Sequence, residues 1–365
     1  MLVLNVLVLV LGAGMGAGYG YVQWRLGQIR EVDLEEGVLV EERDEGPMNV
    51  LLVGSDSREG LRGDDATLFG VGRTGGRRSD TIMVLHVDPK KTKAALLSIP
   101  RDLWVTIADT GRRNRINTAF NRGPQNLIET IRLNLGIEIH HYVEIDFVGF
   151  RSLVDAIDGV EMRLRAPVRD LVTGLDIRQA GCATLDGAQA LAWARSRHFQ
   201  EKLRGTWRTD PTGDHGRIVR QQVFLRRVMS KASRRAANPL RLNELIGIGV
   251  DNLARDDAMS NGDITRLARR FRSLAPEAVD MLTVPTMGFR TSGGASALRL
   301  KQPDAQIVID RLNGIEPPPT TTTTTTTLPP RATRTGVSTT TTRPRPTTTT
   351  TTSTTSTTVP VASAC

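Results

Sequence analysis

Cysteine is nearly absent from this chain: 365 residues carry two, Cys182 and Cys365. Two cysteines cannot build a disulfide framework, and they cannot form a Cys-based zinc site. With its only possible partner at the last position of the sequence, Cys182 is expected to be a free thiol. Histidine is scarce as well. The residues at 86, 140, 141, 198 and 215 show no HExxH or similar ligand spacing, which argues against a structural zinc site. No GxSxG elbow surrounds Ser55, Ser57 or Ser98 and no histidine block is placed as their base, so a serine hydrolase has no signature here.

Positive charge, by contrast, is abundant. The net charge is +9 and the pI about 10.2, which favours an anionic partner: nucleic acid, a phospholipid surface or a phosphate-bearing substrate. The two ends of the chain differ from the middle. Leu2 to Trp24 carries no charged side chain and is long enough to cross a bilayer. Its GAGMGAG stretch superficially resembles a dinucleotide-binding loop, but no strand-turn-helix fits inside such an apolar run. Gly12, Gly16 and Gly20, four apart, suit close helix packing in lipid. Residues 1–24 are therefore expected to be an uncleaved transmembrane anchor, because no basic n-region precedes the long apolar run. Arg25 and Arg30 would favour a cytoplasmic C-terminal side by the positive-inside rule. The tail at 316–365 is almost all Thr, Pro and Ser, a disordered composition typical of glycosylated stalks outside the cell. The expectation is a single-pass protein of the cell membrane whose catalytic domain is extracytoplasmic.

Between these ends, apolar runs predict strands over Asn49–Val53, Thr81–Val87 and Ala94–Ile99, the last two a hairpin around PKKT. Leu127, Ile128, Ile131 and Leu135 have helical spacing and stop at Gly136. IHHYVEIDF alternates as a strand, VGFRSLVDAI returns to helix, and VEMRL follows a turn. Helices are expected from about Gly187, through GRIVRQQVFLRRVMSKA, NPLRLNELIGIG and DITRLARRFRSLA, before a last strand, VDMLTVP. Alternating strands and helices with one hairpin predict an α/β fold, layered α-β-α with a mixed central sheet. It would be preceded by one transmembrane helix and followed by the disordered Thr/Pro-rich tail. The domain limits are 1–24 anchor, 25–46 juxtamembrane linker, 47–315 catalytic domain and 316–365 tail.

Charge collects at the open end of the hairpin. A turn centred between Lys90 and Lys91 sets Asp80 opposite Arg101, with Arg78 and Asp102 just beyond. Asp56 leaves the end of another apolar strand. Surface ion pairing explains any one of these residues. Together they could hold a divalent cation and phosphates, because Mg²⁺ takes one or two carboxylates plus substrate oxygens. Arginine adds a fixed fork for the remaining oxygens. Arg195 and Arg197 in ARSR, and Arg217 and Gln221 one helical turn apart in GRIVRQQ, extend the set. Arg195 and Arg197 can reach one ligand only if the helix ends near Arg195.

These segments identify a resemblance. NVLLVGSDSR, RRSDTIMVLHVDP, LLSIPRDLWV, RINTAFNRG, HHYVEIDFVGFRSLVDAIDGVEM, AGCATLDGAQALAWARSR and GDHGRIVRQQ occur in the order expected of the LytR-CpsA-Psr family. The match runs from about Pro47 to Met229, and the region to about Gly314 is similar to that family's C-terminal extension. The resemblance implies a membrane-anchored phosphotransferase that moves a glycopolymer from a polyprenyl-pyrophosphate carrier to a peptidoglycan sugar hydroxyl during cell-wall assembly. It implies Mg²⁺ (or Mn²⁺) held by Asp56 and Asp80, with Asp80, Asp56 and Arg101 catalytic and Asp80 able to accept the hydroxyl proton. Arg78, Arg101, Arg195, Arg197, Arg217 and Gln221 would bind the pyrophosphate, with Arg115 of the RIN block beside them. VGFRSLVDAI and IVRQQVFL are possible linings of a lipid pocket. His198, Phe199 and the basic, aromatic stretch that follows are expected to form a lid, an acceptor loop or an ordinary exposed loop.

Four rivals remain: a pyrophosphatase or hydrolase acting on the same donor, a membrane-anchored regulator of cell-envelope genes, a DNA-binding regulator and a non-catalytic wall-binding module. The mixed acid–arginine clusters and the lack of a helix-turn-helix argue against nucleic acid as partner. In a wall-binding module the paired acids would be idle.

Overall fold

A computed structural model describes residues 16, 18–41, 46–55, 79–88, 90, 93–314 and 365. Most of the expected transmembrane run and all of the Thr/Pro tail except Cys365 lie outside them. Among the described residues no helix is long and apolar enough to cross a membrane.

The chain enters through a helix over residues 18–26 (α1) and a short strand, β1 (Arg30–Val32). Three strands follow: β2 (Met48–Ser55), β3 (Ser79–Val87) and β4 (Ala94–Ser98). A small β5 (Trp104–Thr106) and β6 (Arg113–Arg115) ladder leads into a 3-10 helix, Ile116–Arg122, and α2 (Pro124–Leu135). Pro124 opens α2, where a missing N–H costs nothing, and Gly136 closes it with φ 62°, a conformation that suits glycine. Next come β7 (His141–Ile145), α3 (Phe147–Ala156), β8 (Val160–Leu164), β9 (Val168–Asp170), β10 (Leu175–Ile177) and β11 (Gly181–Leu185). Helix α4 (Gly187–Arg195), β12 (Gln200–Leu203) and β13 (Thr206–Thr209) precede the long α5 (Asp214–Arg235). The chain continues through α6 (Pro239–Asn252), β14 (Leu253–Asp256), α7 (Asn261–Ser273), β15 (Val279–Thr283), β16 (Thr286–Arg290), β17 (Ser296–Leu300) and α8 (Asp304–Leu312).

Among the described residues the central sheet runs β1-β14-β7-β2-β3-β4-β15. Its pairings are parallel at β1–β14, β2–β7 and β4–β15 and antiparallel elsewhere, so the sheet is mixed as expected. The near-continuous apolar strands β2 to β4 are covered on both faces because alternate residues feed different cores. Leu51, Val53, Ile82, Val84 and Leu97 face Phe120 of the 3-10 helix, Leu127 and Ile131 of α2, and Ile309 of α8. Val50, Met83, Leu85 and Leu96 face Leu225 and Met229 of α5 with Leu267 and Phe271 of α7. This is the layered α-β-α arrangement. Each fully buried side chain of this size contributes about 1.5–3 kcal/mol, so both helical layers are held by the sheet rather than by their own propensity.

Three expectations need correction. VDMLTVP is not the last strand: the β16–β17 hairpin and α8 follow it. These five-residue strands mix polar and apolar positions without a clean period, so their pairing with each other carries the signal. The stretch expected as a linker is partly folded into the domain, with β1 on β14 and Val38 in the main core. Cys182 is not free. It forms a disulfide with Cys365, their Cα atoms 5.6 Å apart, because the end of the chain returns to strand β11. Alkylation before reduction is therefore expected to label neither cysteine.

Candidate active site

Antiparallel pairing builds half of the site. The β3–β4 register, Met83 opposite Ser98 and Val87 opposite Ala94, continues outward to Asp80 and Arg101. There Arg101 Nη1 forms an ion pair with Asp80 Oδ1, as the sequence register requires. Just beyond, the Asp102 carboxylate lies 3.9 Å from Arg101 Nε and 3.4 Å from Arg115 Nε. Arg115, at the end of β6, donates from Nη2 to the Ser296 carbonyl at 2.7 Å, which ties the β16–β17 hairpin to the rim.

The ARSR segment supplies the facing wall. Helix α4 ends at Arg195, and Ser196 takes an extended conformation (φ −62°, ψ 120°). Arg195 and Arg197 consequently leave the bend toward different cavities. The Arg195 guanidinium stacks 4.6 Å from the Phe147 ring centroid. Arg197 Nε lies 3.9 Å from Asp214 Oδ1. The bend is clamped from both sides. The fully buried Asp170 of β9 accepts from Ser196 Oγ (2.7 Å), His198 N (2.9 Å) and Val172 N (2.9 Å). Arg220 of α5 donates to the Ser196 carbonyl (2.8 Å) and to Asp210 Oδ2 (2.6 Å).

Burial pushes the Asp170 carboxyl up, but the hydrogen bonds from Ser196, His198, Val172 and Thr173 outweigh it and hold the pKa below the usual carboxylate range. Asp210 is lowered likewise: burial is outweighed by hydrogen bonds from Thr212 and Arg220 and by the Arg220 charge. A folded-state pKa below the unfolded one adds stability that is present above the unfolded pKa and lost as pH falls through the folded pKa. The Tm is therefore expected to hold above about pH 5 and to fall with acidification below about pH 4. Asp170→Ala, which frees the bend, is expected to cost about 2–3 kcal/mol. Scanning calorimetry would read that as a drop of roughly 5–10 °C. It should also weaken the acid dependence; an unchanged Tm would mean Asp170 holds nothing.

Helix α5 completes the cradle. Asp214 opens it, and its Oδ1 forms an ion pair with Arg217 Nη2 at 2.9 Å, one turn on. Arg217 is only 3% exposed. Burial lowers its pKa, Asp214 and Asp80 oppose that, and the neighbouring positive charges of Arg101 and Arg197 lower it further. Gln221, the next turn, donates to the Ala194 carbonyl (2.8 Å) and to Thr81 Oγ1 (3.3 Å), so it pins α5 to α4 and β3.

Two cavities meet at Asp80. The outer one, about 540 Å³, is lined by Asp80, Arg101, Asp102, Arg115, Arg197 and Asp214 with the backbone of the β16–β17 hairpin. The inner one, about 60 Å³, is more apolar and is lined by Phe147, Phe150 and Leu191 with Arg195, Arg217 and Gln221. Around them Arg101 Nε, Arg115 Nε, Arg197 Nη1 and Arg217 Nε are buried and make no hydrogen bond among the described residues. A buried donor left unmet costs about 1–3 kcal/mol, so such a cluster is built for an oxygen-rich anion.

Of the residues singled out in the sequence, Asp80, Arg101, Arg115, Arg195, Arg197, Arg217 and Gln221 converge here. Asp56 and Arg78 lie outside the described residues; their chain neighbours Ser55 and Ser79 are paired across β2 and β3. Asp214 and residues 296–298 join the site without having been placed there from sequence, whereas Asp102 stands at the rim where the hairpin register set it. Asp214 was legible in principle, since it stands three residues before Arg217 on a helix. The segment after His198 is neither lid nor plain loop: β12 and β13 form a hairpin on β9, and Phe199 packs edge-on against Trp193 at 5.3 Å.

Buried arginines and carboxylates thus converge at the strand ends of a mixed sheet in a layered α-β-α fold. The chain belongs to the LytR_cpsA_psr family, whose profile matches residues 26–314. It is 38% identical over 245 residues to a probable cell wall biosynthesis protein, LcpB, of Corynebacterium glutamicum, covering 66% of this chain and 55% of the relative. It is 32% identical over 234 residues to the polyisoprenyl-teichoic acid–peptidoglycan teichoic acid transferase TagU of Enterococcus faecalis, covering 62% and 66%. Among solved structures, the LytR-Csp2A-Psr enzyme of Actinomyces oris superposes with a TM-score of 0.63 at 25% identity, covering 78% of this chain and 96% of that one. The chain spans between about half and two thirds of the length of the curated relatives it matches.

Proposed function

We propose that this protein is a phosphotransferase that moves a glycopolymer from a polyprenyl-pyrophosphate carrier to a peptidoglycan sugar hydroxyl during cell-wall assembly. The observation that carries this is the set of buried, unmet guanidinium nitrogens converging on Asp80 between a polar and an apolar cavity. Two linked phosphates present the oxygens such a set needs. The inner cavity, with Phe150 from VGFRSLVDAI and Gln221 from IVRQQVFL beside Phe147, suits the first isoprene unit, and the outer cavity suits sugars. The acceptor hydroxyl oxygen attacks the phosphorus that carries the glycopolymer. The bond to the bridging oxygen breaks, and polyprenyl monophosphate leaves with that oxygen. Arg101, Arg197 and Arg217 stabilise the charge on the leaving and transferred phosphates, and Asp80 accepts the hydroxyl proton.

The donor chemistry at this edge fits a small divalent cation. Asp80 presents hard carboxylate oxygen to the same cavity as the phosphate-binding arginines, and one or two carboxylates suffice when substrate oxygens complete the shell. Among the described residues no three His, Cys, Asp or Glu would hold a metal by themselves. Mg²⁺ or Mn²⁺ would be held by Asp80 together with Asp56, and when bound would neutralise phosphate charge as a Lewis acid.

Residues 1–24 would anchor the chain as a single pass, with the catalytic domain outside the cell. The Cys182–Cys365 disulfide supports an oxidising compartment. The test is incubation of the full chain with a polyprenyl-pyrophosphate-linked saccharide, peptidoglycan fragments and Mg²⁺. Equal yields of polyprenyl monophosphate and of saccharide joined to peptidoglycan are expected. Free saccharide phosphate regardless of acceptor would make the protein a hydrolase, and no lipid product would end the reading.

A further inference from the structure

The inference concerns the end of the molecule away from the arginine cluster, and it rests on the membrane-anchor reading. The uncharged N-terminal run feeds into α1, on which Tyr19, Tyr21 and Trp24 (61% exposed) point to solvent. Aromatic side chains of this kind favour the level of lipid headgroups. Helix α1 is not a loose tether. Leu26 and Ile29 pack against Val250, with Ile246 and Ile264 alongside, so the point where the run meets the domain is fixed on α6 and α7.

Beside that junction an apolar groove of about 530 Å³ opens among α1, α5, α6 and α7, lined by Val22, Leu26, Met229, Leu242, Leu245 and Phe271. In the first turn of α6, Leu240 is 82% exposed, the most exposed large apolar side chain among the described residues. Exposed arginines frame it: Arg234 near the end of α5, Arg241 beside Leu240, and Arg269 on the rim of the groove. Arg241 shares its charge with Glu244. An apolar tip ringed by arginines next to an anchor complements one surface, a bilayer with anionic headgroups.

We propose that the α5–α6 turn and the adjoining groove form a second, peripheral contact with the membrane, in which Leu240 enters the headgroup layer and Arg234, Arg241 and Arg269 meet lipid phosphates. The consequence is orientation. Arg217 and Arg234 sit at opposite ends of α5, about 25 Å apart at 1.5 Å per residue. A bilayer held at one end of that helix, together with the docked α1, places the arginine cradle at a set height above it.

The experiment uses the full chain reconstituted into phosphatidylcholine vesicles with and without phosphatidylglycerol. Leu240→Cys, Trp24→Cys and, as a control, Ile307→Cys on α8 are each labelled with an environment-sensitive fluorophore; the native cysteines are paired and do not react. In phosphatidylglycerol vesicles the Leu240 label is expected to shift to the blue. Headgroup-level nitroxide lipids should quench it several-fold more than the Ile307 label. Arg234→Glu with Arg241→Glu should at least halve that quenching. Quenching at Trp24 but not at Leu240 would overturn the proposal and leave the anchor standing. No quenching at either would remove the anchor and the proposal together. Shielding of Leu240 that grows with protein concentration but is insensitive to nitroxide lipids would mean a second copy covers the face, which also overturns it.

Discussion

Arg217→Ala is expected to lower the rate of transfer from a polyprenyl-pyrophosphate donor by about 10²–10³-fold, the usual cost of removing one preorganised donor from developing charge. No other described residue of the cradle is so enclosed: Arg217 is almost fully buried, its Nε is unmet, and it stands within reach of Asp214, Arg101, Asp80 and Arg197. The same change strands the Asp214 carboxylate, whose oxygens are both buried, so the variant should also be less stable, by up to roughly 3–5 kcal/mol. The two effects separate in the double variant Arg217→Ala with Asp214→Asn. Removing the stranded charge should return most of the lost Tm but none of the turnover. Turnover within threefold of the unaltered protein in a folded Arg217→Ala variant would take Arg217 out of the diphosphate cradle.

Asp80→Ala is expected to abolish transfer, by roughly 10³-fold or more, with little change in Tm. Its ion pair with Arg101 is partly solvated, and such pairs contribute at most about 1 kcal/mol to folding. The proposed mechanism makes the catalytic loss large, because in it one carboxylate at the junction of both cavities would accept a proton and offer oxygen to a cation. Asp80→Asn should fare no better, since the amide keeps the shape but not the charge, and added Mg²⁺ should not rescue it. Arg101→Ala should raise the KM for the donor more than Arg101→Lys, which keeps the charge and loses the fork. Equal losses in the two Arg101 variants would argue for a point charge rather than a bidentate contact. Undiminished turnover in Asp80→Ala would remove that residue from the mechanism.

Much of this was open to reading from the residues alone. The pairing of Asp80 with Arg101 follows from turn position and a period of two, both local properties of a short hairpin. The end of α4 at Arg195 follows from the demand that two arginines separated by one residue serve one site. The layered mixed sheet follows from strands without a polar face, which only a double covering of helices can bury. The charged residues that support the site were harder to see. Asp170 is separated in sequence from Ser196 and His198, and its role exists only because β9 passes behind the bend. The β16–β17 hairpin reaches the rim through backbone groups, the Ser296 carbonyl accepting from Arg115 and Leu298 N donating to the Asp102 carbonyl at 3.0 Å, and such backbone contacts leave no trace in a sequence.

Local pattern therefore determined the strands of the central hairpin, the main helices and the pairing of charge at the hairpin's open end, because periodicity and turn chemistry act over a few positions. Tertiary structure alone decided which buried donors stay unmet, how the arginine bend is clamped, that Cys182 pairs with the far end of the chain, and that α1 docks beside a groove framed by arginine. Each of these depends on two segments distant in the chain meeting at one place, and the closure of such contacts is set by the packing of the whole core.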